Sequence, residues 1–423
     1  MSTLSENIGG RKRLVGGPFG SKLVQSDYQE TGVPVIRGGN MEFLNRWIGG
    51  EFAYVSEEKV DRDLSANLAQ PGDIIVTQRG TLGQVSIVPP YLPHRKYVIS
   101  QSQMAISVDT QRADPSFVYY FLRSPDFLQY VENSAIKTGV PHINLGLLRD
   151  TPVQWPDLEA QQQVAAVLSA LDDKIELNQR MNETLEALAQ AIFKDWFVAF
   201  GPTRRKMEGA TDPVAILGGL IPEPAKAAPL AALFPARFCE DGLPEGWERL
   251  PLEKTIVLQR GFDLPKTDRT DGLFPVIAAS GLNGTHNEFK VKGPGVCTGR
   301  SGVLGGVFFV KRDFWPLNTS LWVKEYPNAT PLYAFYLLKT LDLLSLNAGS
   351  AVPTLNRNHV HKLQVPTPRI AVVLEFEKLA STLYDRIDTS EVENHTLAET
   401  RDYILPKLMS GVVRVREAEK AVP

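Results

Sequence analysis

The chain has 423 residues, of which 43% are hydrophobic and 22% are charged, and its formal net charge is −3. These values are typical of an ordinary soluble protein with two or more domains and exclude a largely disordered chain. The charge also argues against a uniformly basic nucleic-acid binder. Residues 1–14 lack the apolar core of a signal peptide, and no apolar run is long enough to span a bilayer, so we expect a cytoplasmic protein.

Cysteine and histidine spacing gives no sign of a metal site or a disulfide framework. Cys239 and Cys297 are far apart in the sequence, and the six histidines are scattered. Neither pattern has the spacing that zinc ligands or a disulfide-rich domain require. We therefore expect two reduced thiols and no metal centre.

Residues 1–156 combine short strands with turns and predict a first α+β domain. The apolar, β-branched runs are bounded by Gly, Pro and Asp, as strands usually are. A helix is predicted over residues 115–131. The predicted strands are Pro34–Ile36, Asp73–Thr77, Gln84–Val88, Met104–Val108 and a last one near Pro152–Trp155.

Residues 157–200 predict one long helix, because the stretch from Glu159 to Phe197 contains neither Pro nor Gly and its apolar residues recur at alternating steps of four and three. Asn178 and Asn182 continue this seam where apolar residues are missing. The segment is acidic, with 3 basic and 8 acidic residues. The apolar seam positions are Val164, Leu168, Leu171, Ile175, Leu185, Ala189, Ile192 and Trp196.

Residues 201–240 are rich in Ala, Pro and Leu and predict a connector that wraps over the surface, with a short helix near 229–234. The run Arg204-Arg205-Lys206 has two interpretations. It either contacts phosphate or forms a solvated helix end, and the second is the more common role of such a run.

Residues 241–367 repeat the plan of the first domain and predict a second one. Thr298-Gly299-Arg300-Ser301-Gly302 matches Thr77-Gln78-Arg79-Gly80, and Asn356 stands 212 residues after Asn144. A second long helix is predicted over residues 368–412, followed by a tail over 413–423. Its seam positions are Phe376, Ala380, Leu383, Ile387, Ser390, Asn394, Leu397, Ile404 and Leu408.

Two helices with such seams predict an antiparallel coiled coil within the chain, because each apolar stripe alone would face water over roughly 55 Å. If the paired positions have numbers that add to 572, Asn178 meets Asn394 and Asn182 meets Ser390. Polar residues at seam positions reduce stability but fix the register. The alternative is two unrelated amphipathic helices in a large core.

Three short fragments have residue types found in enzymes. Val88-Pro89-Pro90-Tyr91 lacks the Asp or Asn that an amino-methyltransferase needs before its prolines. Asp271, Glu288 and Lys290 have the residue types of a metal-dependent nuclease, in a pattern that is short and common. The glycines of Gly293–Ser301 have the wrong spacing for a phosphate loop, and a hairpin or exposed loop is expected there.

Five motifs, in this order, resemble the DNA-specificity (S) subunit of type I restriction-modification enzymes. The resemblance covers nearly the whole chain, and the 212-residue repeat adds to its specificity. The motifs are Gly32–Asn40, the closing Gly139-Val140-Pro141-His142-Ile143-Asn144, Ala191–Phe197, Leu243-Pro244-Glu245-Gly246-Trp247 and Leu405–Gly411.

This resemblance implies that the chain is a non-catalytic DNA-binding subunit. Each α+β target-recognition domain would read half of a bipartite site, and the antiparallel coiled coil would set the gap and dock two modification (methyltransferase) subunits. Restriction (endonuclease and translocase) subunits are further expected partners. The chain itself needs no cofactor, whereas S-adenosylmethionine is expected in the modification subunit, and ATP and Mg in the restriction subunit.

Contacts with base edges and phosphates require Arg, Lys, Asn, Gln, Ser or Thr on exposed loops. The rival hypotheses are a nuclease or methyltransferase that acts alone, and a two-domain coiled-coil scaffold. The predicted DNA-binding residues are Arg37, Asn40, Gln78, Arg79, Ser100, Gln101 and Lys137 in the first domain, and Arg260, Lys266, Lys290, Lys292, Arg300, Asn318 and Thr319 in the second.

Overall fold

The structure, a computed structural model, describes residues 2–10, 13–41, 45–134, 142–349 and 351–412. The chain divides into two compact units. The first comprises Met1–Arg180 and Ser390–Pro423, and the second comprises Met181–Thr389. Each unit therefore contains one strand-rich domain together with parts of both long helices.

The first unit contains two four-stranded sheets. One sheet has the order β2-β9-β6-β7 and is antiparallel throughout. The other has the order β4-β3-β8-β5, in which β3 and β8 are parallel. The strands are β1 Ser2–Thr3, β2 Leu14–Gly16, β3 Val33–Ile36, β4 Ala53–Val55, β5 Leu68–Ala69, β6 Ile74–Thr77, β7 Val85–Ile87, β8 Tyr97–Ile99, β9 Gln103–Ile106 and β10 Pro152–Val153.

The helices of the first unit pack on its antiparallel sheet. The single helix predicted over residues 115–131 is wrong, because the chain forms two helices that are separated at Ser124. Ser124 has an extended backbone with ψ 146°, as expected for a residue that precedes proline. The helices are α1 Leu4–Asn7, α2 Glu57–Lys59, α3 Pro115–Arg123, α4 Pro125–Ser134 and α5 Leu145–Asp150.

The second unit repeats this topology. A four-stranded sheet of order β12-β18-β15-β16 corresponds to β2-β9-β6-β7, and β14-β13-β17 corresponds to β4-β3-β8, again with one parallel pair. The predicted repeat is confirmed. The strands are β11 Glu248–Pro251, β12 Val257–Arg260, β13 Phe274–Ala278, β14 Gly281–His286, β15 Gly295–Gly299, β16 Val307–Val310, β17 Trp315–Pro316, β18 Ser320–Glu325 and β19 Gln364–Thr367.

Asn144 and Asn356 hold equivalent positions in the two repeats and begin equivalent helices. The Oδ1 atom of Asn144 accepts a hydrogen bond from Leu147 N at 2.8 Å, and that of Asn356 accepts one from Asn358 N at 3.0 Å. Both are therefore N-cap residues, which satisfy main-chain donors at a helix start. The helices α10 and α11 of the second unit are Pro331–Thr340 and Arg357–His361.

The connector does not wrap over the surface, as the sequence predicted, but forms part of the core of the second unit. Its apolar side chains, including Ile216, Leu230 and Phe234, are buried against the same core as Trp196 and Phe376. A composition rich in Ala and Leu can supply core residues as readily as a surface strap. The helices are α7 Gly201–Met207, α8 Pro213–Ile216 and α9 Pro224–Ala232.

The basic run forms a helix end: it lies in the last turn of α7, where Arg204 is exposed and Arg205 and Lys206 are half-buried. Contact with phosphate stays a prediction. Arg205 donates two hydrogen bonds to the carboxylate of Asp195, at 3.0 and 2.6 Å. Arg204 donates to Ala199 O at 2.7 Å, and Lys206 to Phe234 O at 2.5 Å. Arg204 and Arg205 thus hold the connector to the end of the first long helix, and Lys206 holds two parts of the connector together.

The two predicted long helices are present. Helix α6 spans Leu158–Phe193 and continues as a π-helical turn over Lys194–Val198, and helix α12 spans Ile370–Met409. In the first unit the two helices pack antiparallel, because Asn178 donates to Asn394 Oδ1 at 2.9 Å while Asp172, earlier in α6, bonds a residue later in α12. This confirms the first polar pair of the predicted register.

In the second unit the remaining parts of the helices also pack antiparallel. The ring of Phe193 lies 5.5 Å from that of Phe376. Two turns earlier in α6, the main-chain oxygen of Glu186 accepts a hydrogen bond from Tyr336. The Tyr336 hydroxyl also bonds that of Tyr384, which lies two turns after Phe376 in α12. Asn182 and Ser390 belong to different units. Their pairing stays a prediction.

A buried ion pair crosses the helix pair of the first unit. The guanidinium of Arg401, at a seam position between Leu397 and Ile404, donates to Asp172 Oδ1 at 2.6 Å. Tyr120 Oη donates to Asp172 Oδ2 at 2.7 Å, so both carboxylate oxygens are used. Burial alone would lower the pKa of Arg401, but Asp172 and then Asp402 raise it above its ordinary value.

Removing one member of this pair should lower the free energy of unfolding more than removing both charges. Arg401→Met leaves the Asp172 carboxylate buried without a cation and should lower the free energy of unfolding by about 3–5 kcal/mol. The double variant Asp172→Asn/Arg401→Met should recover part of that loss. Urea denaturation followed by circular dichroism measures both changes.

The matched control for this experiment is Asp402→Asn, because that carboxylate also bonds Arg401 but its side chain is 62% exposed. The free energy of unfolding of this control should lie within about 0.5 kcal/mol of that of the unchanged chain, because exposed ion pairs contribute little to stability. Equal losses for Arg401→Met and for Asp402→Asn would contradict a structural role of the buried pair.

Candidate nucleic-acid interface

Three loops of the first unit come together at one edge of its sheets. Strands β3 and β8 run parallel, so the residues that follow them, Arg37 and Ser100, lie side by side. Ser100 N donates to Ile36 O at 3.0 Å, and Gln78 N, which follows β6, donates to Ser102 O at 2.7 Å. The loops that carry most of the predicted residues of this domain are therefore neighbours.

The side chains at this edge differ in how much they are exposed. Arg37 and Arg79 are exposed, and Gln78 is half-buried. The Arg37 guanidinium lies 6.0 Å from the ring of Tyr28. Gln101 is exposed, but its amide donates to the main-chain oxygens of Gly20 and Leu23, at 2.8 and 3.2 Å. The two arginines are thus the side chains of this edge that best fit contact with DNA.

Asn40 is buried, and its side chain holds the loop around it together. It is 3% exposed, and its Oδ1 atom accepts a hydrogen bond from Arg37 N at 3.0 Å. Its Nδ2 atom donates to Gly49 O and Glu51 O, at 2.9 and 3.0 Å. These bonds use the amide fully, so this geometry favours a role in shaping the Arg37 loop over contact with bases.

Two further predicted residues of the first domain have less direct support. The hydroxyl of Ser100 donates to the side-chain oxygen of Gln103, inside the same loop. Lys137 lies outside the described residues, as does the beginning of the closing motif, residues 138–141. Neither placement tests the prediction.

The second unit has the same loop arrangement. Arg300 N, which follows β15, donates to Thr319 O at 2.8 Å, and its guanidinium donates to Asn318 O at 2.9 Å. The Asn318 amide donates to Asp263, whose carboxylate lies 3.6 Å from the Arg260 guanidinium. The structure therefore brings four predicted residues together and adds Asp263, which the sequence did not single out.

The two loops can be aligned by their hydrogen bonds. Gln78 N and Arg79 N both donate to Ser102 O, and Arg300 N and Ser301 N both donate to Thr319 O. Arg300 therefore corresponds to Gln78, and Ser301 to Arg79. The match of Arg79 with Arg300 by residue type is therefore out of register by one residue.

The three predicted lysines of the second domain are exposed, and two of them, Lys290 and Lys292, lie away from this cluster in the sequence. Lys290 N bonds Phe314 O before the beginning of β17, whereas Asn318 and Thr319 follow its end. The Lys290 ammonium lies 4.7 Å from the ring of Trp315. Lys266, which is three residues after Asp263, and Lys292 are also exposed.

The described part of the chain contains neither a candidate metal cluster nor a candidate membrane-spanning helix. No group of three or more His, Cys, Asp or Glu residues is placed to hold a metal ion there. In the same residues, no helix combines the length and apolar character that crossing a membrane requires.

Comparison with known proteins gives consistent matches. The model of the family described as "Type I restriction modification DNA specificity domain" matches residues 20–187 and 244–399. The type I restriction enzyme HindI specificity subunit of Haemophilus influenzae is 26% identical, over 75% of this chain and 81% of its own. The MjaIX specificity subunit of Methanocaldococcus jannaschii is 20% identical, over 87% of this chain and 85% of its own.

A solved structure supports the fold. The S subunit of a type I restriction-modification system from M. genitalium matches with a TM-score of 0.50 and 17% identity, over 93% of this chain and 92% of its own. The family model matches one region in each repeat, and together these regions cover well over half of the chain. This chain therefore belongs to the type I restriction-modification DNA specificity family.

Proposed function

We propose that this chain is the sequence-specific DNA-binding subunit of a type I restriction-modification complex. Each strand-rich domain reads one half of a bipartite site, and the long helices set the gap between the halves. The observation that carries the proposal is the repeated loop cluster, which presents arginine and amide side chains at the same sheet edge in both units. A chain with two such clusters has one surface in each unit that can contact DNA bases.

The chemistry of the clusters fits direct reading of DNA. Arginine binds the O6 and N7 atoms of guanine with two hydrogen bonds and also binds phosphate, while an amide side chain pairs with adenine. Arg37, Arg79 and Arg260 are exposed, and Gln78 and Arg300 are half-buried. The three exposed lysines of the second domain, Lys266, Lys290 and Lys292, suit phosphate contacts that position the domain.

The proposed partners are two modification subunits, which dock on the long helices, and restriction subunits. In the first unit, Leu177 and Val392 are each more than half exposed, at 57% and 55%. These apolar side chains support a protein partner on this part of the helices. This chain contributes recognition, while the modification subunit supplies the S-adenosylmethionine site and the restriction subunit the ATP and Mg sites.

The proposal predicts that the purified chain neither methylates nor cleaves DNA. A nuclease or methyltransferase that acts alone, with Asp271, Glu288 and Lys290 as the candidate metal site, predicts the opposite. Labelled S-adenosylmethionine and a plasmid-cleavage assay with Mg²⁺ measure the two activities. Adding the modification subunits should produce methylation, which is the positive control. Methylation by the chain alone would overturn the proposal.

Each domain should specify its own half-site. Exchanging residues 241–368 for the matching segment of a relative should change one half of the methylated motif and leave the other half unchanged, because the two loop clusters belong to separate units. Base-modification sequencing of a host that expresses the chimaera with its modification subunits gives both halves. A chimaera that changes both halves would contradict independent reading.

Arg37 and Asn40 allow recognition to be separated from stability in one loop. Arg37→Ala should weaken DNA binding and reduce its salt dependence by about one phosphate contact, while the free energy of unfolding changes little. Asn40→Ala should lower that free energy by about 1–3 kcal/mol, because a main-chain donor and two carbonyls lose their partner. Fluorescence anisotropy over a salt series and urea denaturation provide the two measurements. The opposite assignment of the two effects would exclude Arg37 as a DNA contact.

A further inference from the structure

Each long helix carries two acidic residues that bind one cation from the strand-rich domain of the same unit. On α6 they are Asp173 and Glu176, and on α12 they are Asp385 and Asp388. The second pair stands 212 residues after the first, so the two pairs are equivalent positions of the repeat. Residues three apart in a helix lie on the same face, which lets one cation reach both carboxylates.

In the first unit the cation is Arg46. Its guanidinium donates to Asp173 and lies 3.6 Å from Glu176 Oε2. Trp47 Nε1 donates to the same Glu176 oxygen at 2.9 Å, and the Arg46 guanidinium lies 4.5 Å from the Trp47 ring. The side chains of Arg46 and Glu176 are 9% and 21% exposed, whereas that of Asp173 is 62% exposed. The cation and one of its two carboxylates are therefore largely shielded from water.

In the second unit the cation is Lys311. Its ammonium lies 2.9 Å from Asp385 Oδ1 and 3.1 Å from Asp388 Oδ2. The Lys311 side chain is 39% exposed and that of Asp385 is 70% exposed. Because solvent screens exposed ion pairs, this contact is weaker than that of Arg46.

The two cations come from segments that the repeat does not relate, yet both lie at equivalent sheet edges. Arg46 is held beside β7, since Ile87 N donates to Arg46 O at 2.8 Å. Lys311 directly follows β16, the counterpart of β7. The acid positions are thus repeated in the helices, while each domain meets them with a different basic residue.

We propose that these acid pairs orient the recognition domains: each pair fixes the angle of one domain on its helix and thereby restricts the gap that is accepted between the half-sites. Asp173, Glu176, Asp385 and Asp388 are then positioning residues that do not contact DNA. The inference rests on the proposed function for its effect on DNA. It also implies that a domain placed on either helix must bring a cation to this edge.

The first test measures gap preference in the full chain assembled with its modification subunits. Duplexes carry the two half-sites of the native motif with the native gap or with one base pair more or fewer. Asp173→Asn/Glu176→Gln removes both charges without changing side-chain shape, and should reduce the preference for the native gap about tenfold, equivalent to about 1.4 kcal/mol. Asp385→Asn/Asp388→Asn should reduce it less, by about threefold, as expected for an exposed pair.

Two controls separate this role from a general loss of stability. Glu375→Gln removes an ion pair with Lys378 that lies within α12 and should leave gap preference unchanged. Arg46→Met should reproduce most of the effect of Asp173→Asn/Glu176→Gln, which also breaks the ion pair of Glu176 with Arg180 within α6. Combining all three substitutions should add little, because all three break the contact with Arg46. Additive effects would overturn the proposal.

The second test does not depend on DNA. Spin labels at Thr31→Cys in the domain and Gln163→Cys in α6, in a Cys239→Ser background, report the distance between the first domain and its helix. The distance distribution should broaden in Asp173→Asn/Glu176→Gln and stay narrow in Glu375→Gln. An unchanged distance distribution would show that the acid pair does not orient the domain. A broadened distribution with unchanged gap preference would show that this orientation does not control specificity. Failure of the unchanged complex to bind the duplexes would instead refute the proposed function.

Discussion

The register between α6 and α12 is the constraint on which the rest of the first unit depends. An apolar seam alone tolerates sliding, because one leucine packs nearly as well as the next. A buried polar residue does not, since it must meet a partner. Asn178 meets Asn394 at 2.9 Å, and Asp172 meets Arg401 at 2.6 Å. Two such contacts, about two turns apart, fix where each helix lies along the other.

The helices position recognition loops through sheets that are stiff and repeated. In both units a parallel strand pair places two loops side by side, and a third loop joins them through hydrogen bonds to one carbonyl, Ser102 O in the first unit and Thr319 O in the second. These bonds use main-chain atoms only. Exposed loop side chains such as Arg37 can therefore vary with the DNA sequence, whereas the buried Asn40 side chain belongs to the scaffold. This explains why the repeat is clearer in topology than in residue type.

The sequence predicted the features that depend on periodicity and missed those that depend on a distant partner. The limits of the two long helices, five of the ten strands of the first unit, the repeat and the pair of Asn178 with Asn394 follow from such patterns. Arg401 escaped notice because an arginine in an apolar seam is explained only by Asp172, which is 229 residues away. The connector was misjudged because its Ala and Leu residues carry no sign of the core that covers them. Asn40 has the residue type of a base contact, and only its burial indicates a structural role.

The buried ion pair also distinguishes the two helices from each other. By the 212-residue repeat, the counterpart of Arg401 in α6 is Ala189, and the counterpart of Asp172 in α12 is Tyr384. If α6 paired with a second copy of itself in the same register, Asp172 would face alanine and lose its cation. If α12 paired with a second copy of itself in that register, Arg401 would face Tyr384 in place of a carboxylate. Because an unpaired buried charge is strongly destabilising, these charges favour pairing of the two unlike helices, whereas the apolar seam residues fit either arrangement.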